Sequence, residues 1–291
     1  MNKYRWSLAL AAVVVLVFAL LLVARRPEPL PNPNGYDDFV AAGNMVVGKP
    51  GDVATNDPAA LAAFAAQNTG VAARVRAGLT HESHLAVALN PEWIGTHLKE
   101  LVAVKKAANA LQLLARHQES EGRLAEAVTL QLDRLRLALA GARCGVLIDY
   151  DVCTAVELGA LQDLQKLTDR LDAALCHQVV KSLRDSETTR ETRENALHRQ
   201  HQWAWLGSGW WQSWNGIRGM AKDVFRLTND ALNPTNSTTT KEGKILRLRH
   251  DLSLALARRA FTLEQGHPPA SDAELVPAYL PALPPVAPPA K

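Results

Sequence analysis

Residues 97–143 read HLKELVAVKKAANALQLLARHQESEGRLAEAVTLQLDRLRLALAGAR, and their apolar pattern decides the fold class. Apolar side chains recur every three or four residues in two stripes, which is the spacing of one face of an α-helix. The first stripe is Leu98, Leu101, Ala108, Leu111 and Leu114, and the second is Leu124, Ala127, Val128, Leu132, Leu135 and Leu139. Between them lies a polar stretch with Gly122, a residue type that commonly ends helices. The pattern therefore predicts two antiparallel helices, an αα-hairpin.

Helical spacing extends through most of the chain, and no stretch alternates between apolar and polar residues as a half-buried strand does. Asp57 and Pro58 predict a helix start, because aspartate caps helices and proline suits the first helical position. That helix is predicted to run to Leu79, and the last long helix is predicted to end at Gly266. No 34-residue period recurs, so a repeat array is not expected. We predict an all-α protein whose irregular antiparallel helical body contains αα-hairpins.

The N-terminus predicts a transmembrane helix that precedes this body. Residues 7–24 read SLALAAVVVLVFALLLVA, carry no charge and would span about 27 Å as a helix, close to the thickness of a bilayer's hydrocarbon core. A cleaved signal peptide is the alternative, but its apolar run is shorter and ends in small residues, whereas Leu22 is large. We favour an uncleaved signal anchor of a single-pass membrane protein. Its N-terminus is expected in the cytoplasm and its body outside the cytoplasm.

Composition divides the chain into four predicted segments. Prolines occupy every second position from Pro27 to Pro33, which is typical of a stiff, extended spacer. The expected segments are a membrane anchor at 1–26, a proline-rich spacer with a short helix at 27–57, a helical body at 58–232, and a long helix with a proline-rich tail at 233–291.

Net charge and the cysteines exclude some classes of protein. A formal charge of +3 over 291 residues is unlike the balance of nucleic-acid-binding proteins, so no nucleic-acid partner is expected. Cys144 and Cys153 would lie about 13 Å apart if one continuous helix carried both. A disulfide needs Cα atoms within about 7 Å. Buried thiols are therefore the favoured interpretation, and the spacing of the cysteines with Cys176 does not match a zinc site.

Two resemblances add an expected location. Residues 255–284, ALARRAFTLEQGHPPASDAELVPAYLPALP, resemble the segment after the long helix of type II secretion major pseudopilins. The chain lacks the prepilin pattern of glycine, hydrophobic residue and glutamate, so it is not itself a pseudopilin. A second resemblance is carried by the anchor and by the stretches PNPNGYDDFVAAG, GRLAEA and ARCGVLIDYDVCTAVE. Together these features resemble an uncharacterised family of bacterial membrane-anchored helical envelope proteins. This resemblance implies the location and the helical fold, and it implies no activity.

Two histidine pairs are candidate metal ligands, because residues three apart share one face of a helix. They are His81 with His84 in HESH, and His198 with His201 in HRQH. Neither stretch is the His-Glu-x-x-His of a metalloprotease. Exposed helix polarity is the favoured interpretation, and no metal site is assigned.

Asp149 and Asp151 flank Tyr150 in VLIDYDVC and are candidates for acid–base chemistry. Hydrogen-bonded or ion-paired carboxylates at the edge of a helix are the favoured alternative. No nucleophile motif and no phosphate-binding glycine loop is present, so no catalytic and no cofactor-binding residue is assigned.

Five of the seven tryptophans lie within QWAWLGSGWWQSW, residues 202–214. A helix over 210–228 would place aromatic and aliphatic side chains on one face and a basic ridge beside it, as interfacial membrane helices do. Packing against the protein core fits the same spacing, and a stacking platform for a ligand is a third interpretation. The candidate membrane-interface residues are Trp210, Trp211, Trp214, Arg218, Lys222 and Arg226.

Two functions from different classes follow from the sequence. The favoured one is a non-enzymatic, membrane-anchored extracytoplasmic scaffold that binds a protein partner of the cell envelope and needs no small-molecule cofactor. The alternative is an envelope hydrolase that uses Asp149 and Asp151 or a histidine pair.

Overall fold

The computed structural model describes residues 30–88, 92–207 and 237–282. Within these ranges the chain forms nine α-helices and no β-strand, so the prediction of an all-α fold is confirmed there. The helices belong to one unit that spans Asn32–Lys291. They are α1 Gly35–Met45, α2 Pro58–Gln67, α3 Val71–Leu79, α4 Trp93–Ser120, α5 Leu124–Ala142, α6 Leu147–Leu167, α7 Ala173–Glu187, α8 Arg193–Gly207 and α9 Ser237–Gln265. Short 3₁₀ turns occupy Pro50–Asp52, Thr168–Arg170 and Asp272–Leu275.

Helix boundaries form where the sequence predicts them in three places. The Asp57 carboxylate accepts hydrogen bonds from the backbone N–H groups of Ala59 and Ala60, which caps α2. Gly122, with φ of 76°, separates α4 from α5, and Gly266, with φ of 77°, follows α9. A positive φ costs glycine no steric strain, which explains why these residues reverse the chain. The predicted αα-hairpin is therefore α4 with α5.

The helix predicted to run from Pro58 to Leu79 is instead two helices, so this prediction is wrong. The chain breaks at Asn68, which is buried and not helical. The Asn68 side-chain oxygen accepts from the Val47 backbone N–H at 2.8 Å, and its side-chain nitrogen donates to the Phe64 and Val47 carbonyls. One amide thus satisfies the backbone of the segment after α1, and this long-range bonding replaces helix continuation.

The continuous helix assumed for Cys144 and Cys153 is also wrong. α5 ends at Ala142 and α6 begins at Leu147, and Cys144 lies between them with φ of 60°. The Cys144 backbone N–H donates to the Glu191 carboxylate at 3.1 Å. All three cysteines fall within the described ranges, and the structure contains no disulfide among them.

Two hydrophobic cores lie on opposite sides of α5. The first core is built by α1, α2, α3 and α4, and it receives Leu130 and Leu137 from α5. The second core is built by α6, α7 and α9, and it receives Leu132 and Leu135 from the other side of α5. The turn after α9 closes the second core with Leu275 and Leu280. α5 is therefore a central helix that is buried on several faces, a position that demands apolar residues beyond a single stripe.

The second predicted stripe, on α5, is buried except for Leu124, which is half-buried. The first stripe, on α4, is buried from Leu101 onward, but Leu98 is 39% exposed. Leu98 and Val102 form an apolar strip on the outer face of α4, and Val102 is 64% exposed.

Several predictions fall on residues outside the described ranges. The predicted anchor at 7–24 and the six candidate membrane-interface residues of the tryptophan segment are among them. Within the described ranges, the helices are too short or too polar to cross a bilayer.

The contact between α1 and α4 generates a prediction about Gly43. A Cβ atom at this position would collide with the backbone carbonyl of Ala103, which cannot move without displacing α4. We expect Gly43→Ala to lower the free energy of unfolding by about 2 kcal/mol or more, as overpacking does.

The matched control is Gly95→Ala, because a Cβ at Gly95 in the first turn of α4 would meet no atom. That substitution should raise the free energy of unfolding by up to about 1 kcal/mol through better helix propensity. Denaturant titration followed by circular dichroism measures both, and equal effects would contradict the close α1–α4 packing.

Candidate functional site

A fully buried histidine–aspartate pair joins α4 to α6. The His97 Nε2 atom lies 2.6 Å from Asp149 Oδ1, and neither side chain is accessible to solvent. The other oxygen of Asp149 accepts the Val146 backbone N–H at 2.9 Å, which closes the first turn of α6. The favoured sequence interpretation of Asp149, a hydrogen-bonded carboxylate at the edge of a helix, is confirmed.

Aromatic rings surround this pair. The Trp93 indole stacks on the His97 ring with centroids 4.4 Å apart and an interplanar angle of 5°. Trp203 of α8 packs against Trp93 at 5.9 Å and donates from Nε1 to the Ala88 carbonyl at 3.1 Å. Burial, followed by the charge of Asp149, raises the pKa of the Tyr36 phenol on α1 far above its ordinary value. The packing of these rings leaves the His97 imidazole inaccessible to solvent.

A second charged cluster centres on Asp163 of α6. Its carboxylate accepts hydrogen bonds from Arg116 at 2.7 Å and Gln112 at 2.8 Å, both on α4. Arg134 of α5 donates at 3.1 Å, and Lys166, one turn further along α6, donates at 2.9 Å. Burial lowers the pKa of the Arg134 guanidinium, and Asp163 counteracts that shift. Burial alone would raise the pKa of Asp163, but these donors lower it below its ordinary value.

A third cluster centres on Glu157 of α6. The Arg249 guanidinium of α9 places two nitrogens 2.8 and 2.7 Å from Glu157 Oε1. Arg249 also donates to the Leu183 carbonyl and to the Ser186 hydroxyl of α7, and Arg190 lies 3.4 Å from the second carboxylate oxygen. This arrangement ties α6, α7 and α9 together.

These three carboxylates all belong to α6, and each is at most 4% exposed. Buried charge is tolerated only when paired and hydrogen-bonded, and here each carboxylate binds cationic or polar groups from neighbouring helices. Burial to this degree leaves a substrate almost no access to the three carboxylates. The described geometry therefore gives these groups a role in helix placement, and it offers Asp149 no access to a substrate.

The structure places only one of the two histidine pairs on a helix. His81 and His84 follow α3 in a non-helical segment, so the shared helix face expected for them is wrong. His81 Nδ1 lies 3.0 Å from Asp38, and His84 Nε2 lies 3.1 Å from Glu82.

His198 and His201 do share α8. His198 interacts with Gln202, one turn along the same helix, and His201 is exposed. Within the described ranges, no group of three or more His, Cys, Asp or Glu side chains is placed to hold a metal ion.

Sequence reasoning singled out Asp149 but missed His97, Asp163 and Arg134. The available signal was a charged residue inside an apolar helical stretch, as in GALQDLQKL around Asp163 and LQLDRLRLAL around Arg134. Such positions are buried only if a partner helix supplies the opposite charge, and one helix by itself does not reveal that partner.

A groove of about 680 Å³ lies between α2–α3 and α4–α5. One wall is nearly all alanine, with Ala62, Ala65 and Ala66 on α2. The opposite wall has Leu114 and Leu130 at its base. The remaining lining residues are Thr69, Ala72, Arg76, His117, Gln118, Ala125, Glu126 and Thr129. We call this feature the alanine groove.

Comparison of the chain with protein-family models, with curated proteins and with solved structures found no match. The resemblances to envelope proteins and to pseudopilins therefore stay predictions.

The Asp163 cluster generates a prediction about acid stability. Because the folded-state pKa of Asp163 lies below its unfolded value of about 3.9, its contribution is present above that pH and is lost as the pH falls through the folded pKa. Asp163→Asn should cost about 3 kcal/mol of unfolding free energy at pH 6, since it leaves Arg134 without its carboxylate.

The difference between wild type and Asp163→Asn should shrink below about pH 4. The control is Asp169→Asn, at an exposed aspartate three residues after Lys166 and within the 3₁₀ turn Thr168–Arg170. It should change stability by less than about 0.5 kcal/mol. Denaturant titrations from pH 6 to pH 3 measure both variants. A difference that is constant with pH would contradict the ion pairs.

The cysteines generate a prediction about alkylation. Burial raises the pKa of Cys153 far above its ordinary value and that of Cys176 to about 11, whereas Cys144 is only half-buried. Because the thiolate is the nucleophile, a maleimide at pH 7 should modify Cys144 first and the other two only after unfolding. Peptide mass spectrometry measures the order, and equal rates in the folded protein would contradict the described burial.

Proposed function

We propose that this chain is a non-enzymatic, membrane-anchored helical scaffold of the cell envelope whose alanine groove binds a segment of a partner protein. The observation that carries the proposal is the groove itself. It opens to solvent between four helices, and small side chains keep it open.

The lining of the groove suits an extended protein segment. Ala62, Ala65 and Ala66 allow a bound backbone to approach α2 closely, and Leu114 with Leu130 offers an apolar base for side chains. Polar rim residues such as Thr69 and Glu126 can exchange hydrogen bonds with the backbone groups of a bound segment. Helical hairpins that present a concave surface commonly bind extended segments in this way.

The alternative, an envelope hydrolase, gains less support from the described residues. Asp149 is buried against His97 and the Val146 backbone, so its carboxylate is not accessible to solvent. His81 is engaged by Asp38, and His198 by Gln202. These groups stabilise the helical framework on which the groove depends.

The location rests on the sequence. The uncharged run at 7–24 and the flanking basic residues favour a single-pass anchor with the body outside the cytoplasm. An anchor and a proline-rich spacer would present the groove to other envelope proteins near the membrane surface.

Site-directed photocrosslinking in intact membranes tests the proposal. A photoreactive amino acid at Ala66, exposed in the groove, should crosslink the full-length chain to a discrete partner. Ala125→Trp, on the opposite wall, should reduce that product about tenfold or more because it fills the groove.

The matched control uses Ala63, which is exposed on the same helix and does not line the groove. A photoreactive group there should not give the product, and Ala63→Trp should not reduce crosslinking from Ala66. Equal crosslinking from both positions, or no effect of Ala125→Trp, would overturn the proposal.

A further inference from the structure

A second concavity, separate from the alanine groove, lies between α5 and α7. It measures about 280 Å³ and is bordered by the loop after α3, the end of α5 and the loop after α7. Three cationic side chains line it, namely Arg136, Arg143 and Lys181. Its other lining residues are Leu79, His81, Ser83, Leu139, Ala140, Ser182, Asp185, Ser186 and Thr189. We call it the basic pocket.

Arg143 is the cation of this pocket whose guanidinium has no partner among the described residues. It is half-buried directly after α5, where its backbone N–H bonds to Ala140. Among the residues that the structure describes, no carboxylate, hydroxyl or carbonyl pairs with the Arg143 guanidinium. By contrast, the arginines of the Asp163 and Glu157 clusters each have an ion pair. None of the Arg143 nitrogens is buried without a partner, so the guanidinium N–H donors face solvent and are available to an anion in the pocket.

The surrounding charges leave the pocket positive. Asp133 lies 2.6 Å from Arg76 and 3.7 Å from Arg136, so two cations share one carboxylate. Asp185 lies 2.6 Å from Lys181 and 3.4 Å from Arg184. Among the lining residues, three cations, Arg136, Arg143 and Lys181, therefore accompany one carboxylate, Asp185.

The neighbouring helix ends do not cancel this surplus. The carbonyl ends of α3 and α5 border the pocket, and the partial negative charge at a helix end favours cations by about 0.3–1 kcal/mol. That effect places the arginines there, but it supplies less than one full negative charge. The Arg143 guanidinium keeps its donors available.

We propose that the basic pocket binds a phosphate group. A carboxylate is satisfied by one guanidinium fork, whereas a phosphate dianion has enough oxygens for two guanidinium groups and an additional hydroxyl donor. Arg136 donates to the Ser182 hydroxyl oxygen at 3.1 Å, so the Ser182 proton remains available to a ligand oxygen. The volume admits a phosphate with a small attached group, such as the headgroup of an anionic lipid or a soluble phosphate monoester.

The test measures binding of inorganic phosphate to the full chain in nonionic detergent by titration calorimetry. Wild type should bind saturably, and Arg143→Gln should weaken binding about tenfold or more, the loss expected for a charge-assisted hydrogen bond. The matched control is Arg247→Gln, which removes the same charge at an exposed position of α9 and should leave the affinity unchanged.

A second variant tests the pocket independently of the folding of Arg143→Gln. Ser182→Asp places a carboxylate beside Arg136 and should abolish phosphate binding, while the melting of the helices stays cooperative. No saturable binding by wild type, or equal weakening by Arg247→Gln and Arg143→Gln, would overturn the proposal.

A lipid arm distinguishes the source of the phosphate. The same titration is repeated with the full chain in nanodiscs of phosphatidylcholine or phosphatidylglycerol. When added salt screens the surface potential of the anionic bilayer, weaker binding of inorganic phosphate in phosphatidylglycerol identifies the lipid headgroup as the ligand. Equal affinities in the two lipids identify a soluble phosphate compound, and either result supports the pocket.

Discussion

The described fold depends on placing carboxylates inside α6 and pairing each with side chains of neighbouring helices. Asp149 binds His97 on α4, Glu157 binds Arg249 on α9, and Asp163 binds donors on α4 and α5. An unpaired buried carboxylate would cost several kcal/mol. Each pair therefore forms only when its helix is in the correct register, and α6 fixes the positions of helices that are distant in the sequence.

Apolar packing and these pairs contribute differently to folding. The two cores on either side of α5 supply the nonspecific driving force, because burial of leucine and alanine is favourable in many arrangements. The charged pairs are specific, since a shift of one helix by one residue would leave a charge without its partner. A body rich in alanine and leucine gains a single helix arrangement from this second contribution.

The same construction explains why the surfaces, and not the buried acids, carry the proposed functions. The buried acids and their partners bind one another inside the body and are closed to a substrate from solvent. The alanine groove and the basic pocket lie at the edges of the two cores, where small or unpaired side chains leave space and hydrogen-bonding capacity. They lie on either side of Asp133, which Arg76 and Arg136 approach from the two concavities.

The sequence by itself determined the all-α class, the α4–α5 hairpin, the cap at Asp57 and the stops at Gly122 and Gly266, because these features depend on residues close together in the chain. Tertiary structure alone decided the break at Asn68 and the partner of Asp149. Each depends on a contact across many residues, such as Asn68 with Val47 or Asp149 with His97. Local periodicity records which face of a helix is apolar, but a buried polar group is explained only by the helix that packs against it.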